Sequence, residues 1–139
     1  MTSRTPTETD VGALILRLTV GGLMLFHGVD KLLGGVEGIA GLLAKKGLPS
    51  ALAYGVYLGE VVGPICLMLG FATRTSAFFI IATMAMAVWL VHPGDVLALG
   101  SHGEYALELQ LFYAAGAAAI ALIGPGRFTV PVKGWLRKL

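Results

Sequence analysis

The sequence predicts an all-α integral membrane protein, a four-helix bundle with a short interfacial helix between the first and second spans. Of its 139 residues, 56% are hydrophobic and 13% are charged, whereas soluble domains carry about 25% charged residues. The mean hydropathy is +0.82. Apolar runs long enough to cross a bilayer alternate with short segments rich in glycine, proline and charge. We therefore divide the chain into a tail (1–10), a four-span membrane domain (11–126) and a basic tail (127–139).

The first span is predicted over residues 11–33. Thr7 and Asp10 have the spacing of a capping box, which starts a helix near Val11, and Gly34-Gly35 ends it. Because Arg17 interrupts the apolar run, we expect the run to be retained rather than cleaved as a signal peptide. Residues 36–46 are too short to cross the membrane, and their apolar side chains recur at helical spacing, which predicts the interfacial helix.

The remaining spans are predicted over residues 50–72, 75–91 and 102–124. Pro64 follows Glu60 by four residues and has no N–H group, so the second span is expected to kink at Glu60. The third span carries no charge. Ser101 and Glu104 have capping-box spacing, which predicts that the fourth helix starts near His102.

Composition and charge exclude several kinds of protein. The single cysteine, Cys66, cannot form an internal disulfide, a CxxC redox pair or a thiolate metal cage. The net charge of +2 and the scattered basic residues argue against nucleic acid binding. The distribution of lysine and arginine between the loops favours an inner-membrane protein with both termini in the cytoplasm. The loop that begins at His92 then faces the exterior.

Charged side chains lie within the predicted spans, where they normally face a protein interior or a water-filled cavity. Arg17 and Lys31 share one helical stripe of the first span. With a rise of about 1.5 Å per residue, Glu60 lies near the middle of the bilayer, and we expect Arg17 to reach it and form an ion pair. His27, Lys31 and Glu108 lie nearer the outer surface. These positions predict a polar pocket that opens outward and has Arg17 and Glu60 as its floor.

The same residues have structural interpretations. Arg17 and Glu60 could form only a clamp between helices, and His27 could simply be hydrogen-bonded to its neighbours. His92 and His102 share one loop, but no third ligand accompanies them at a fixed spacing, and we predict no metal site.

The order and spacing of these motifs resemble the DoxX family of small four-helix membrane proteins. The resemblance covers residues 16–128 and rests on Arg17, His27-Gly28-Val29-Asp30-Lys31, Gly47-Leu48-Pro49, Glu60-Val61-Val62-Gly63, Leu69-Gly70-Phe71-Ala72-Thr73-Arg74, Gly103-Glu104-Tyr105-Ala106-Leu107-Glu108 and Gly124-Pro125-Gly126-Arg127. It implies quinone-linked oxidation of sulfur compounds, often as the membrane subunit of a larger complex. Related four-helix proteins act as cargo receptors or assembly chaperones. In the family one carboxylate follows the glycine of the last loop, and here Glu104 and Glu108 both fit.

The first functional hypothesis is an integral membrane subunit of a quinone-linked oxidoreductase system. A quinone site needs an apolar slot, hydrogen-bond donors at the two carbonyls and a route for protons. We assign catalytic roles to Glu60, His27 and Glu108, and ligand-binding roles to Arg17, Lys31 and His92. A quinone is the expected cofactor. Since the sequence contains no flavin, haem or iron–sulfur motif, electrons must come from a soluble or membrane redox partner.

The alternative is a non-enzymatic membrane module for binding, assembly or transport of a lipid, a small solute or a partner protein. In that case Arg17 and Glu60 fix the bundle, and the outward loop recognises the cargo. A self-assembled scaffold is a third hypothesis, which draws on the glycine-rich second span. Membrane lipids are expected partners in every case, and a homo-oligomer is compatible with each.

Overall fold

The computed structural model describes residues 5–131, and their regular structure is helical. The α-helices are α1 (Glu8–Gly34), α2 (Glu37–Lys45), α3 (Gly63–Leu69), α4 (Thr73–Val91) and α5 (Glu108–Ile123). A 3-10 helix (Ser50–Gly55) and a π-helical turn (Leu58–Val62) precede α3. Within the described residues the β-structure is limited to one isolated bridge, between Leu99 and Tyr105. The all-α prediction is confirmed.

Three helical stretches are long and apolar enough to cross a membrane: Glu8–Gly34, Ser50–Leu69 and Thr73–Val91. Helix α5 is also apolar but has 16 residues. Large apolar side chains cover the outer surface; Phe26 is 74% exposed and Leu122 is 84% exposed. A surface of this kind is stable in lipid and not in water. The protein is therefore a membrane protein.

Helix α1 begins with the predicted capping box. The Thr7 hydroxyl accepts a hydrogen bond from the Asp10 N–H at 3.3 Å, and the Asp10 carboxylate accepts one from the Thr7 N–H at 2.8 Å. These bonds satisfy backbone donors that the first turn of a helix leaves free. The helix ends at Gly34, where Gly35 has a φ of 81°. The helix predicted for the first span is thus confirmed, with a start three residues earlier than expected.

The stretch before α3 is irregular, and Pro64 explains why. Because Pro64 has no N–H group, the carbonyl of Glu60 has no donor at the usual helical position. The chain forms a π-helical turn instead, in which the Gly63 N–H donates to the Leu58 carbonyl. The disturbance expected at Glu60 is present in this form.

The predicted start of the fourth helix is wrong, because α5 begins at Glu108 rather than near His102. The Gly100 N–H donates to the Glu104 carbonyl at 2.7 Å, which closes a turn, and Gly103 within it has a φ of 84°. This left-handed conformation cannot belong to an α-helix. The Glu104 carboxylate accepts the His102 N–H at 2.9 Å, within the turn itself. The capping-box spacing therefore marks a loop here.

One apolar core joins α1, α3, α4 and α5. Its buried members are Val20, Met24, Leu67, Ala77, Ile80, Met84, Tyr113, Ala117 and Ile120. Gly21 permits close approach here, because a Cβ at this position would lie 2.7 Å from the Met68 Cγ. A second cluster, built from Val36, Leu43, Ala53 and Leu90, attaches α2 to the segment before α3 and to the end of α4.

Helix α1 is antiparallel to the segment that ends in α3 and to α5. Along α1, Gly21 lies near Met68 and Gly28 lies near Glu60. Towards α5, Val20 lies near Gly116, and the His27 ring contacts the Tyr113 ring. We call the two ends of this assembly the Arg17 end and the Lys31 end, after the residues of α1 found there.

Candidate functional site

Arg17 is buried, with 1% of its surface exposed, and it donates hydrogen bonds to four backbone carbonyls. Its Nε lies 2.8 Å from the Leu67 oxygen, and its Nη2 lies 2.9 Å from the oxygens of Met68 and Phe128. Its Nη1 donates to the Pro125 oxygen. The predicted ion pair with Glu60 is therefore wrong, because the guanidinium is bonded to carbonyls at the other end of the assembly.

The distance along α1 explains the error. Glu60 packs against Gly28, which follows Arg17 by eleven residues, or roughly 16 Å of helix. The sequence-based depth estimate treated the second span as a regular helix, whereas its first part is 3-10 and π-helical. Arg17 and Glu60 thus do not form a common pocket floor.

The carbonyls at the end of α3 account for the position of Arg17. The last four carbonyls of a helix lack partners within it. Here the Cys66 oxygen accepts the Phe71 N–H at 2.9 Å, and the Leu69 oxygen accepts the Val130 N–H at 2.9 Å. Arg17 donates to the Met68 oxygen and also to the Leu67 oxygen, which accepts the Gly70 N–H at 3.1 Å as well. The side chain therefore completes the backbone hydrogen bonding at the end of α3.

Glu60 lies in the π-helical turn and is buried, with 8% of its surface exposed. Gly28 of α1 packs so closely that a Cβ there would overlap the Glu60 carbonyl oxygen. Within residues 5–131, the Glu60 Oε2 atom is buried and has no hydrogen-bond partner. Lys31 and Asp30 lie close enough to interact electrostatically with this carboxyl group. Leaving a polar atom unpaired in this way costs about 1–3 kcal/mol, so this atom requires an explanation.

Lys31 and His27 lie at the same end of α1 as Glu60. The Lys31 ammonium is 2.9 Å from an Asp30 carboxylate oxygen. The Tyr57 hydroxyl donates to the Lys31 carbonyl at 3.1 Å, which fixes the segment before the π-helical turn against α1. The His27 ring packs edge-on against Tyr113, with ring centroids 5.8 Å apart. The structure therefore groups three predicted site residues, Glu60, Lys31 and His27, at the Lys31 end.

His92 and Glu108 are not joined to this group by any contact within the described part of the chain. The His92 Nδ1 atom lies 2.8 Å from the Asp95 carboxylate, in the loop after α4. Glu108 is the first residue of α5 and is exposed. Residues 5–131 contain no group of three or more His, Cys, Asp or Glu side chains that could hold a metal ion.

Sequence reasoning missed Gln110. Its Oε1 atom is buried and, among the described residues, has no hydrogen-bond partner. Gln110 lies one turn before Tyr113 on α5, so it belongs to the Lys31 end. The signal in the sequence is an amide side chain that interrupts the apolar run 109–123.

Comparison with known proteins assigns the family. The DoxX family model matches residues 12–93. An uncharacterized protein of Haemophilus influenzae is 35% identical, and the match covers 77% of this chain and 84% of the relative. "Putative oxidoreductase CatD" of Bacillus subtilis is 32% identical over 57% of this chain and 58% of its own length. "Inner membrane protein YqjF" of Escherichia coli is 26% identical over 87% of this chain and 90% of its own.

No solved structure gives a significant match. The family model covers more than half of the 139 residues, and the Haemophilus relative matches most of the chain. The chain belongs to the DoxX family of membrane proteins.

Proposed function

We propose that this protein is the membrane subunit of a quinone-linked oxidoreductase system, and that a quinone binds at the Lys31 end. The observation that carries the proposal is the buried Glu60 Oε2 atom, which has no partner within residues 5–131. Lys31 and His27, one turn apart on α1, supply N–H donors for a ring carbonyl. The apolar surface around them suits an isoprenoid tail.

In this proposal Glu60 exchanges a proton with a ring oxygen. The interconversion of quinone and hydroquinone moves two electrons and two protons, and a buried carboxyl group can pass one of the protons. The electrons are exchanged with a separate redox protein, since the sequence carries no motif for a flavin, a haem or an iron–sulfur cluster. The naming of the Bacillus relative as an oxidoreductase supports such a role.

The proposed topology has four spans, with α5 as the fourth and α2 at the interface. Helix α5 is apolar and contributes Tyr113, Ala117 and Ile120 to the core, which supports a membrane position. Helix α2 buries Leu43 and ends in Lys45, as an interfacial helix does. Just after it, the Lys46 ammonium lies 4.6 Å from the Trp89 ring centroid, at the end of α4. In this topology both termini lie on the cytoplasmic side of an inner membrane, and the Lys31 end faces the opposite side.

Binding of a short-tail benzoquinone to the protein in lipid nanodiscs tests the proposal. We expect the wild-type protein to bind it, and Lys31→Gln to weaken binding by about tenfold, because a charged donor is removed. Lys45→Gln, which removes an exposed lysine of α2, is the matched control and should bind as wild type. A wild-type protein that binds no quinone and co-purifies with a lipid or peptide would instead favour the non-enzymatic binding module.

A further inference from the structure

The two buried side-chain polar atoms without a hydrogen-bond partner in the described part of the chain are Glu60 Oε2 and Gln110 Oε1. The amide oxygen of Gln110 and the ionised carboxylate of Glu60 both accept hydrogen bonds. They belong to different elements, the π-helical turn before α3 and the first part of α5. Each such atom requires an explanation, and a ligand that brings hydrogen-bond donors would account for both.

The packing of α1 places both residues towards the Lys31 end. Gly28 contacts Glu60. Tyr57, which precedes Glu60 by three residues, contacts Lys31. On the other side His27 contacts Tyr113. Since α5 is antiparallel to α1, Gln110 lies about 4.5 Å nearer the Lys31 end than Tyr113.

Gln110 also lies on the interior face of α5. Tyr113 and Ala117 are buried core residues, and Gln110 precedes them by three and seven residues, so all three share one stripe. The apolar core extends towards the Lys31 end as far as Met24 on α1 and Met84 on α4. Glu60 and Gln110 therefore lie just beyond the apolar core, towards the Lys31 end.

We infer that Glu60 and Gln110 form a pair of acceptors that selects the dihydroxy form of a quinone over the oxidised form. This inference rests on the proposed function and adds Gln110 to the site. The oxygens of a quinone only accept hydrogen bonds, whereas the two hydroxyl groups of a hydroquinone donate them. The reduced ring satisfies both unpaired oxygens at once. The oxidised ring leaves them unpaired and relies on Lys31 and His27.

The test compares equilibrium binding of a short-tail benzoquinone and of its hydroquinone, kept reduced under anaerobic conditions, to the protein in nanodiscs. We expect the hydroquinone to bind about tenfold more tightly, since a buried acceptor gains a donor only from the reduced form. Gln110→Met, which keeps the size of the side chain and removes the amide oxygen, should reduce this preference to about threefold or less. Phe112→Leu, at an exposed position of the same helix, should leave the preference unchanged.

The possible results separate this inference from the proposed function. Equal binding of both forms, or tighter binding of the quinone, would overturn the acceptor pair while leaving a quinone site in place. A preference that survives Gln110→Met would remove Gln110 from the site. Absence of binding by either form would overturn the proposed function and this inference with it. Thermal unfolding of each variant shows that the comparison is made on folded protein.

Discussion

Gly28 of α1 lies directly against the backbone carbonyl of Glu60, and this contact sets the distance between α1 and the π-helical turn. A Cβ at position 28 would overlap the Glu60 oxygen and carbonyl carbon, which are backbone atoms and cannot move aside as a side chain can. We expect Gly28→Ala to lower the free energy of unfolding by about 1–3 kcal/mol. Thermal unfolding in detergent measures the loss.

Gly12 provides the matched control on the same helix. A Cβ there meets nothing within 4 Å, and alanine is favoured over glycine within a helix by about 1 kcal/mol. Gly12→Ala should therefore leave stability unchanged or raise it. Equal losses from both substitutions would show that the contact between Gly28 and Glu60 is not responsible.

The hydrogen bonds of Arg17 lead to a second prediction. Arg17→Met removes a hydrogen-bond donor from each of four backbone carbonyls, and we expect a loss of at least about 3 kcal/mol in the free energy of unfolding. Arg17→Lys should recover only part of it, because one ammonium group cannot reproduce the planar guanidinium fork. Chemical denaturation monitored by tryptophan fluorescence provides the measurement.

A double-mutant cycle tests the separation of Arg17 from Glu60. Because Arg17 and the contact of Glu60 lie at levels of α1 roughly 16 Å apart, the effects of Arg17→Lys and Glu60→Gln should add to within about 0.5 kcal/mol. A larger coupling energy would revive the ion pair that the hydrogen bonds of Arg17 argue against.

Glu60→Gln should separate stability from function. The substitution keeps the size of the side chain and removes the cost of a buried carboxylate, so the unfolding temperature should stay the same or rise. Coupled quinone turnover with a redox partner should fall by about 100-fold, since the proton-carrying group is lost. Glu104→Gln alters an exposed loop residue and should leave turnover within about twofold of wild type. Similar tolerance of both changes would show that Glu60 is not the functional carboxylate.

Asp10 joins the start of α1 to the chain after α5. Its carboxylate accepts the Thr7 N–H at 2.8 Å and the Arg127 N–H at 3.0 Å. Thr7→Ala removes only the cap and should cost about 1 kcal/mol, whereas Asp10→Ala also removes the link to Arg127 and should cost about twice as much. Differential scanning calorimetry of the two variants would reveal the order, and the reverse order would mean that the link contributes nothing.

Local signals account for the parts of the fold that the sequence predicted. The cap at Thr7 and the disturbance caused by Pro64 each depend on residues within four positions of one another. The partners of Arg17 were missed because they are backbone carbonyls, which every residue has and which leave no trace in the sequence. The start of α5 was misplaced because Gly103 adopts a left-handed conformation that a capping-box spacing does not exclude.

The candidate site was predicted in part for the same reason. His27 and Lys31 are one turn apart on a single helix, so their proximity follows from helical geometry. Their association with Glu60 depends on how α1 packs against the π-helical turn, and Gly28 decides that contact. The position of Gln110 in the site depends on the register of α5 against α1. This register relates residues more than 80 positions apart, and no local pattern in the sequence predicts it.

The carbonyl partners of Arg17 also determine the order in which the molecule matures. Arg17 is synthesised early, yet two of its acceptors, on Pro125 and Phe128, are added more than 100 residues later. A nascent chain that has inserted α1 therefore holds a guanidinium whose hydrogen bonds are incomplete until residues 125 and 128 have been added. The hydrogen bonds at the Arg17 end are consequently completed late in biogenesis, when the segment after α5 reaches the Arg17 side chain.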